Sequence, residues 1–363
     1  MYTEAVIICC QLMVLAESYK ILVYSAAISR SHAMSNAHLA DELARNGFDV
    51  VVLEDEVMAL DDLKTVKVAH KIKVSNSRRY SEMMRMFQNN FFDEVGTYER
   101  AKNMIYWQKI LAEACNDLLN HTDVLQQLKD EHFDMYIGEQ LSSCGTGLAK
   151  LLNIKTHVWL SSCALMSHMS NLLAIPMPVS YVPSIEGSDM GDKPSYFQRF
   201  NNFIQHLVSL YVYYWGRMEV TKKFRQRFGM EFPDVGDIAR DSALILVASD
   251  EFVDFPRPIT HNTIYIGGFS LGQPKPVDPP FSEWMLQGKR GIVLISFGSV
   301  ISIDQLPRPF IMNIIRAFAE FPEFHFIVKV DNVTEEYRRM VFGMPHIHLT
   351  KWAPQSDLLG MFT

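Results

Sequence analysis

Blocks of like charge, low-complexity tracts and Cys-x-x-Cys pairs are missing from this sequence, and each absence removes a class of function. Acidic residues outnumber basic ones 41 to 34, so the formal net charge is −7. A phosphate backbone needs a basic surface, and no nucleic acid is expected as partner. The five cysteines include Cys9 and Cys10 in the N-terminal apolar stretch, which leaves Cys115, Cys144 and Cys163. An odd number without close pairing indicates neither a disulfide framework nor a zinc site, and no metal is expected. Past residue 18 there is no run of 18 apolar residues, so no segment of a mature chain is expected to span a membrane.

With 363 residues the chain suits two domains, each able to bury a core. Its 48% hydrophobic and 21% charged residues are ordinary for a folded protein. Ala5 to Ala16 is apolar except for Gln11, and Ala16-Glu17-Ser18 offers a small-x-small cleavage site. Residues 1–18 therefore read as a secretory signal, although Glu4 stands where Lys or Arg is usual; a buried first strand is the alternative. Asn120-His121-Thr122 and Asn332-Val333-Thr334 match the glycosylation sequon, usable only in a secretory lumen.

Ile21 to Ala26, a helical pattern through Leu39, Ala40 and Leu43, Gly47, and Val50 to Leu53 form a strand–helix–strand unit, which predicts a parallel α/β sheet. Further on, Met104 to Leu128 reads as one long helix and Asp134 to Gly138 as a strand. A helix is expected over Leu148 to Leu152 and another strand over Ile154 to Leu160. Residues 176–195 carry a loop signal. The aromatic-dense stretch 196–215 reads as a core or domain-packing helix, with membrane-surface contact or an apolar cleft wall as the sharper alternative. Leu244 to Ala248 is a strand, and a Pro-rich linker is placed at 271–289, between a first domain at 19–270 and a partial second at 290–363. The second domain is expected to hold barely three strands: Gly291 to Ser296, His325 to Val330, and His346 to Leu349, with a helix over Pro307 to Glu320.

Three features carry chemistry. His32 follows the first strand, whose C-terminal end is where open α/β sheets bind ligands, and imidazole suits proton transfer near neutrality. A lone loop histidine is otherwise a surface or capping residue, and His38 lies on the same helix. Glu139 ends the strand begun at Asp134, where its plain reading is a solvated loop acid. Nearby Gly145-Thr146-Gly147 lacks phosphate-loop spacing and reads as a tight turn. Ser296-Phe297-Gly298-Ser299 forms a turn that leaves backbone N–H groups and a hydroxyl free for a phosphate. Trp352 and Gln355 stand in Lys351-Trp352-Ala353-Pro354-Gln355-Ser356-Asp357-Leu358-Leu359-Gly360; a buried Trp and a turn Gln are their structural reading.

Taken in order, with their spacing, these features resemble the UDP-glycosyltransferase family, most closely its animal UDP-glucuronosyltransferase branch, from Lys20 to Gly360. The resemblance implies two Rossmann-like α/β domains of the glycosyltransferase-B type, the second incomplete. It implies that His32 is the general base that deprotonates the acceptor hydroxyl. Glu139, where the family usually has Asp, would hold that imidazole. Gly298 and Ser299 would contact the donor diphosphate, while Trp352 would stack on uracil and Gln355 bond to it. The reaction implied moves glucuronic acid or glucose, with inversion, from a UDP-sugar to a small lipophilic alcohol or phenol. The UDP-sugar is the donor substrate, and no cofactor is implied. The family's His-Gly-Gly turn, sugar-reading residues and membrane anchor follow beyond Thr363. A soluble protein of the endoplasmic reticulum lumen, truncated and weak or inactive in transfer, is therefore expected. The alternative is a non-enzymatic short isoform that binds lipophilic ligands or forms oligomers with related transferases. A two-lobed binding protein of the periplasmic kind does not account for Ser299 and Trp352 to Gln355.

Overall fold

The computed structural model describes residues 18–60, 63–75, 80, 96–139, 141–185, 187–188, 190–298, 303 and 306–361. Residues 1–17 of the expected signal, and Ser299, lie outside the described residues. The chain divides into two compact units, one holding the described residues up to Ser270 and one those from Leu271 onward.

The first unit alternates strands and helices: β1 (Lys20–Ala26), α1 (Arg30–Arg45), β2 (Asp49–Glu56), β3 (His70–Ser75), α2 (Thr97–Asn120), α3 (Thr122–Asp130), β4 (Met135–Glu139), α4 (Cys144–Leu151), β5 (Thr156–Ser161), α5 (Ser167–Leu172), α6 (Tyr196–Phe228), α7 (Val235–Arg240), β6 (Leu244–Val247) and β7 (Thr263–Tyr265). Among the described residues its strands form one parallel sheet in the order β3-β2-β1-β4-β5-β6-β7. β1 and β2 are buried on both faces because helices cover a parallel sheet on both sides, which is why Ile21 to Val23 and Val50 to Leu53 are unbroken apolar runs. Ala33, Ala37 and Ala40 are small enough to let the buried side of α1 lie close to the sheet. At its end Gly47 takes φ +92°, its N–H meets the Ala44 carbonyl, and the chain turns directly into β2.

Several expectations are corrected. The long helix read from Met104 to Leu128 is two helices, broken at His121, which leaves the helical region at ψ 77°. Gly145-Thr146-Gly147 is not a turn but the first part of α4. A Cβ at Gly145 would run into the rings of Tyr24 and Tyr136, and one at Gly147 into Phe224 of α6, so the glycines allow close helix approach. β3 went unread because lysine is a poor strand former, although Lys71-Ile72-Lys73-Val74 alternates polar with apolar. Lys71 and Lys73 pair with Glu54 and Glu56 across the sheet edge, at 3.4 and 3.1 Å. The helix read over 196–215 runs on to Phe228, opened by a capping box of Ser195 and Gln198.

In the second unit, α8 (Phe281–Gln287), β8 (Ile292–Ile295), α9 (Arg308–Ala319), β9 (His325–Lys329), α10 (Glu335–Met340), β10 (Ile347–Thr350) and α11 (Gln355–Gly360) build a parallel sheet ordered β10-β9-β8 among the described residues. Strand alternation splits its core in two. Phe326 and Val328 pack with Ile311 and Ile315, whereas Ile327 packs on the other face with Val277, Ala353 and Leu358.

The cysteine expectation is also overturned: Cys115 of α2 and Cys144 at the start of α4 form a disulfide, with Cα atoms 5.5 Å apart, and Cys163 is left free. The pairing is tertiary, since only the packing of α2 against α4 brings together residues 29 apart. On the same side of the sheet the Tyr24 hydroxyl donates to the buried Asp55 carboxyl at 3.0 Å. Burial pushes that carboxyl up to about 7, against the pull of the tyrosine bond, and the charge of Asp117 on α2 adds to the rise.

Two predictions follow from this side of the sheet. A loop of this size makes the disulfide worth about 3–4 kcal/mol in the chain-entropy account. Cys115→Ala should lower the urea midpoint of the oxidised protein, and an unchanged midpoint would refute the contribution. Folded Asp55 keeps its proton above the pH at which the unfolded chain, with its carboxyl near 4, has lost it. Stability linked to Asp55 is thus full below about pH 4 and lost as pH rises to about 7, on the order of 4 kcal/mol in total. Asp55→Asn keeps an acceptor for Tyr24 and removes the titration. Thermal melts at pH 5 and pH 8 should lie closer together in that variant than in the parent, and an equal gap would exclude Asp55 as the source.

Candidate functional site

The strand order of the first unit reverses between β1 and β4. In open α/β sheets the crevice at such a reversal, outside the carboxyl ends of the strands, receives the ligand. Ser29 caps α1 there: its hydroxyl accepts the His32 N–H at 3.4 Å and shares a hydrogen bond with the Ser31 hydroxyl at 3.0 Å. The cap fixes His32 in the first turn of α1, above the end of β1. Glu139 is the last residue of β4, paired alongside β1, and His32 Nδ1 is in direct hydrogen-bond contact with Glu139 Oε1.

Glu139 is 2% exposed, so it is no solvated loop acid, and its additional methylene relative to Asp does not prevent the contact. A buried carboxylate needs partners, and the second comes from Asn36, one helical turn after His32. The Asn36 amide donates to Glu139 Oε2 at 3.3 Å and to the Ser25 hydroxyl at 3.0 Å. An ionised carboxylate only accepts, so the imidazole proton sits on Nδ1 and Nε2 presents its lone pair. The His32 side chain is 17% exposed against 1% for Glu139. The sealed carboxylate thus holds a histidine whose ring reaches solvent. His38 is turned to another neighbour, with its ring 6.3 Å from that of Phe269. Beside the site, burial and the nearby charge of Glu139 both push the Cys163 thiol up.

Sequence reasoning named both members of the dyad and missed Asn36 and Ser25. The i, i+4 spacing from His32 puts Asn36 on the same helix face and was the available signal.

In the second unit a cavity of about 430 Å³ opens at the carboxyl ends of all three strands. Ser296 and Gly298 follow β8, Lys329 ends β9, and Trp352 and Gln355 follow β10. Gly298 takes φ +85°, a left-handed turn conformation with open space where a side chain would stand. Its N–H meets the Ser296 hydroxyl at 3.3 Å. Ala353 and Leu358 are the buried anchors of the Trp352 segment, while Trp352 is 60% exposed and lines the cavity. The buried-Trp reading is therefore set aside. The Asp357 carboxylate accepts the Lys275 N–H at 2.8 Å, which ties residues before α8 to the start of α11. Lys329 was not foreseen. Its ammonium pairs with Asp331 at 3.1 Å and is the cationic group on the cavity wall among the described residues.

Two parallel α/β units, each with polar groups gathered at its strand ends, define a protein of the glycosyltransferase-B class. The glycotransferase of kitacinnamycin shares the fold at a TM-score of 0.56 and 17% identity, over 94% of this chain and 73% of that one. Residues 19–362 match the family profile described as UDP-glucoronosyl and UDP-glucosyl transferase, and the chain belongs to that family. It is 30% identical to ugt-47 of Caenorhabditis elegans over 347 residues, which cover 94% of this chain and 64% of the relative. With UDP-glucuronosyltransferase 1A5 of Rattus norvegicus it is 27% identical, over 95% of this chain and 64% of the relative. The chain thus spans somewhat under two thirds of the length of these relatives.

Proposed function

We propose that this protein moves a sugar from a UDP-sugar to the hydroxyl of a small lipophilic alcohol or phenol, the sugar being glucuronic acid or glucose. The observation that carries the reading is the contact between His32 and the buried Glu139 at the strand-order reversal. His32 Nε2 takes the hydroxyl proton as the acceptor oxygen forms its bond to the anomeric carbon. The carbon–oxygen bond to the diphosphate breaks, and UDP leaves with the electron pair. A single displacement from the face opposite the leaving group inverts the anomeric centre. Glu139 keeps Nδ1 protonated and stabilises the imidazolium that forms, and Asn36 holds Glu139 in place.

On the donor side, Gly298 and Ser299 are assigned to the diphosphate, Trp352 to stacking on uracil, and Gln355 to the uracil edge. Lys329 adds a positive charge of the sign a diphosphate requires. The chemistry calls for no cofactor or metal. The endoplasmic reticulum lumen is the proposed compartment, supported by the apolar leader and by the disulfide, which needs an oxidising environment. No helix among the described residues is long and apolar enough to cross a membrane.

The test uses two single variants. His32→Ala should cut turnover of a phenol by roughly 10²–10⁴ while leaving UDP affinity unchanged in calorimetry. Trp352→Ala should weaken UDP binding by at least about fivefold, the lower end of what base stacking contributes. Turnover that survives His32→Ala, or UDP affinity indifferent to Trp352, would sink the assignments. Phenol binding without any turnover would instead favour the lipophile-binding reading.

A further inference from the structure

Two glycosylation sequons stand in the sequence, and the fold treats them differently. Asn120-His121-Thr122 straddles the break between two helices: Asn120 is the last residue of α2 and Thr122 the first of α3. The Asn120 amide oxygen accepts from the Arg227 guanidinium of α6 at 2.6 Å, so its side chain is drawn toward a neighbouring helix. Asn332-Val333-Thr334 lies instead in the turn between β9 and α10. Asn332 is exposed, and its side chain meets no hydrogen-bond partner among the described residues. The turn folds back on itself, because the Thr334 N–H donates to the Asn332 carbonyl at 2.9 Å. A bond of that span is a γ-turn centred on Val333, and it draws the two polar residues of the sequon together.

An N-linked glycan needs an asparagine amide on a surface loop, with space for a bulky oligosaccharide, and a hydroxyl two residues on. Asn332 meets the first demand, since its amide is committed to no bond within the fold. Asp331 just before it is turned to the Lys329 ammonium at 3.1 Å. Thr334 meets the second. Its hydroxyl caps α10 by accepting the Tyr337 N–H at 3.3 Å, which uses an oxygen lone pair and leaves its own proton to donate. Both residues are exposed. At Asn120 the backbone is helical and a sugar would compete with Arg227 for the position of the side chain.

We infer that Asn332 is a site of N-glycosylation and that Asn120 is not. The inference rests on the luminal compartment proposed above. Asn332 Nδ2 forms a bond to the anomeric carbon of the reducing-end N-acetylglucosamine of an oligosaccharide carried on an isoprenoid lipid diphosphate. The carbon–oxygen bond to the diphosphate breaks, the lipid diphosphate leaves with the electron pair, and the amide nitrogen gives up one proton. Lys329 ends β9 on the cavity wall, so a glycan three residues further on stands at the same end of the second unit as the cavity, outside its lining.

The test is expression of the full chain in animal cells, followed by treatment with a peptide N-glycosidase, gel electrophoresis and peptide mass spectrometry. The wild type should lose one glycan, located at Asn332. Asn332→Gln should lose none, and Asn120→Gln should lose the same one as the wild type. Thr334→Ser keeps the hydroxyl and should keep the glycan. A gel shift that survives Asn332→Gln, or a glycan at Asn120, would overturn the inference. Protease protection in sealed microsomes separates the site from the compartment. A protected wild-type chain without a glycan refutes the site alone. A chain open to protease and without a glycan refutes the compartment, and the site with it.

Discussion

A carboxylate removed from water must be hydrogen-bonded or it costs several kcal/mol, and the first unit is organised around meeting that demand at Glu139. The residue ends β4 with almost no exposure, and its two oxygens are taken by His32 and Asn36 from one helix. This is possible only because β1 and β4 are neighbours in the sheet while α1 starts directly after β1. Ser29 then matters beyond its capping bond, since it sets which residue occupies the first turn of α1. A shift of one residue in that start would rotate the histidine by about 100° around the helix and leave the carboxylate buried without it. The same burial that makes the contact necessary also makes it directional: one nitrogen of His32 is committed to Glu139, and the other is free for chemistry.

The second unit solves a different problem with less material. Trp352 and Gln355 stay exposed at a strand end. The segment does this by inserting Ala353 and Leu358 into the core beneath β9, beside Ile327. Buried Ala353 and Leu358 thus anchor a segment whose Trp352 and Gln355 stay at the surface. Lys329 joins them because β9 lies between β8 and β10, so its carboxyl end opens into the same cavity as theirs.

What was legible in the sequence was whatever is encoded locally. Apolar runs such as Ile21 to Val23, the Gly47 turn and the positions of His32 and Glu139 at strand ends follow from periodicity and from the rule that ligands sit at carboxyl ends. What was illegible depends on distant partners. No spacing rule pairs Cys115 with Cys144. The lysines of β3 look unfit for a strand until Glu54 and Glu56 stand opposite them. Gly145 and Gly147 resemble a turn because glycine's small size serves equally for tight backbone and for close packing. Asn36 is an ordinary helical residue until β4 delivers a buried acid beside it.

The aromatic stretch after residue 195 shows why composition misleads where orientation decides. Aromatic residues usually mark a core, because burying them removes much apolar area from water. In α6 the inward side mixes Val212, Tyr213, Val220 and Phe224 with polar residues that have structural work. Asn202 binds the Val179 and Val182 carbonyls and the Ser184 N–H, so it holds the loop after α5 in shape. Gln205 donates to Thr97 at 2.8 Å, and Gly216 makes room for Gln108, which lets α2 and α6 run side by side. The helix therefore buries its polar anchors together with part of its apolar surface, while Tyr196, Phe200, Phe203, Tyr211 and Tyr214 face outward.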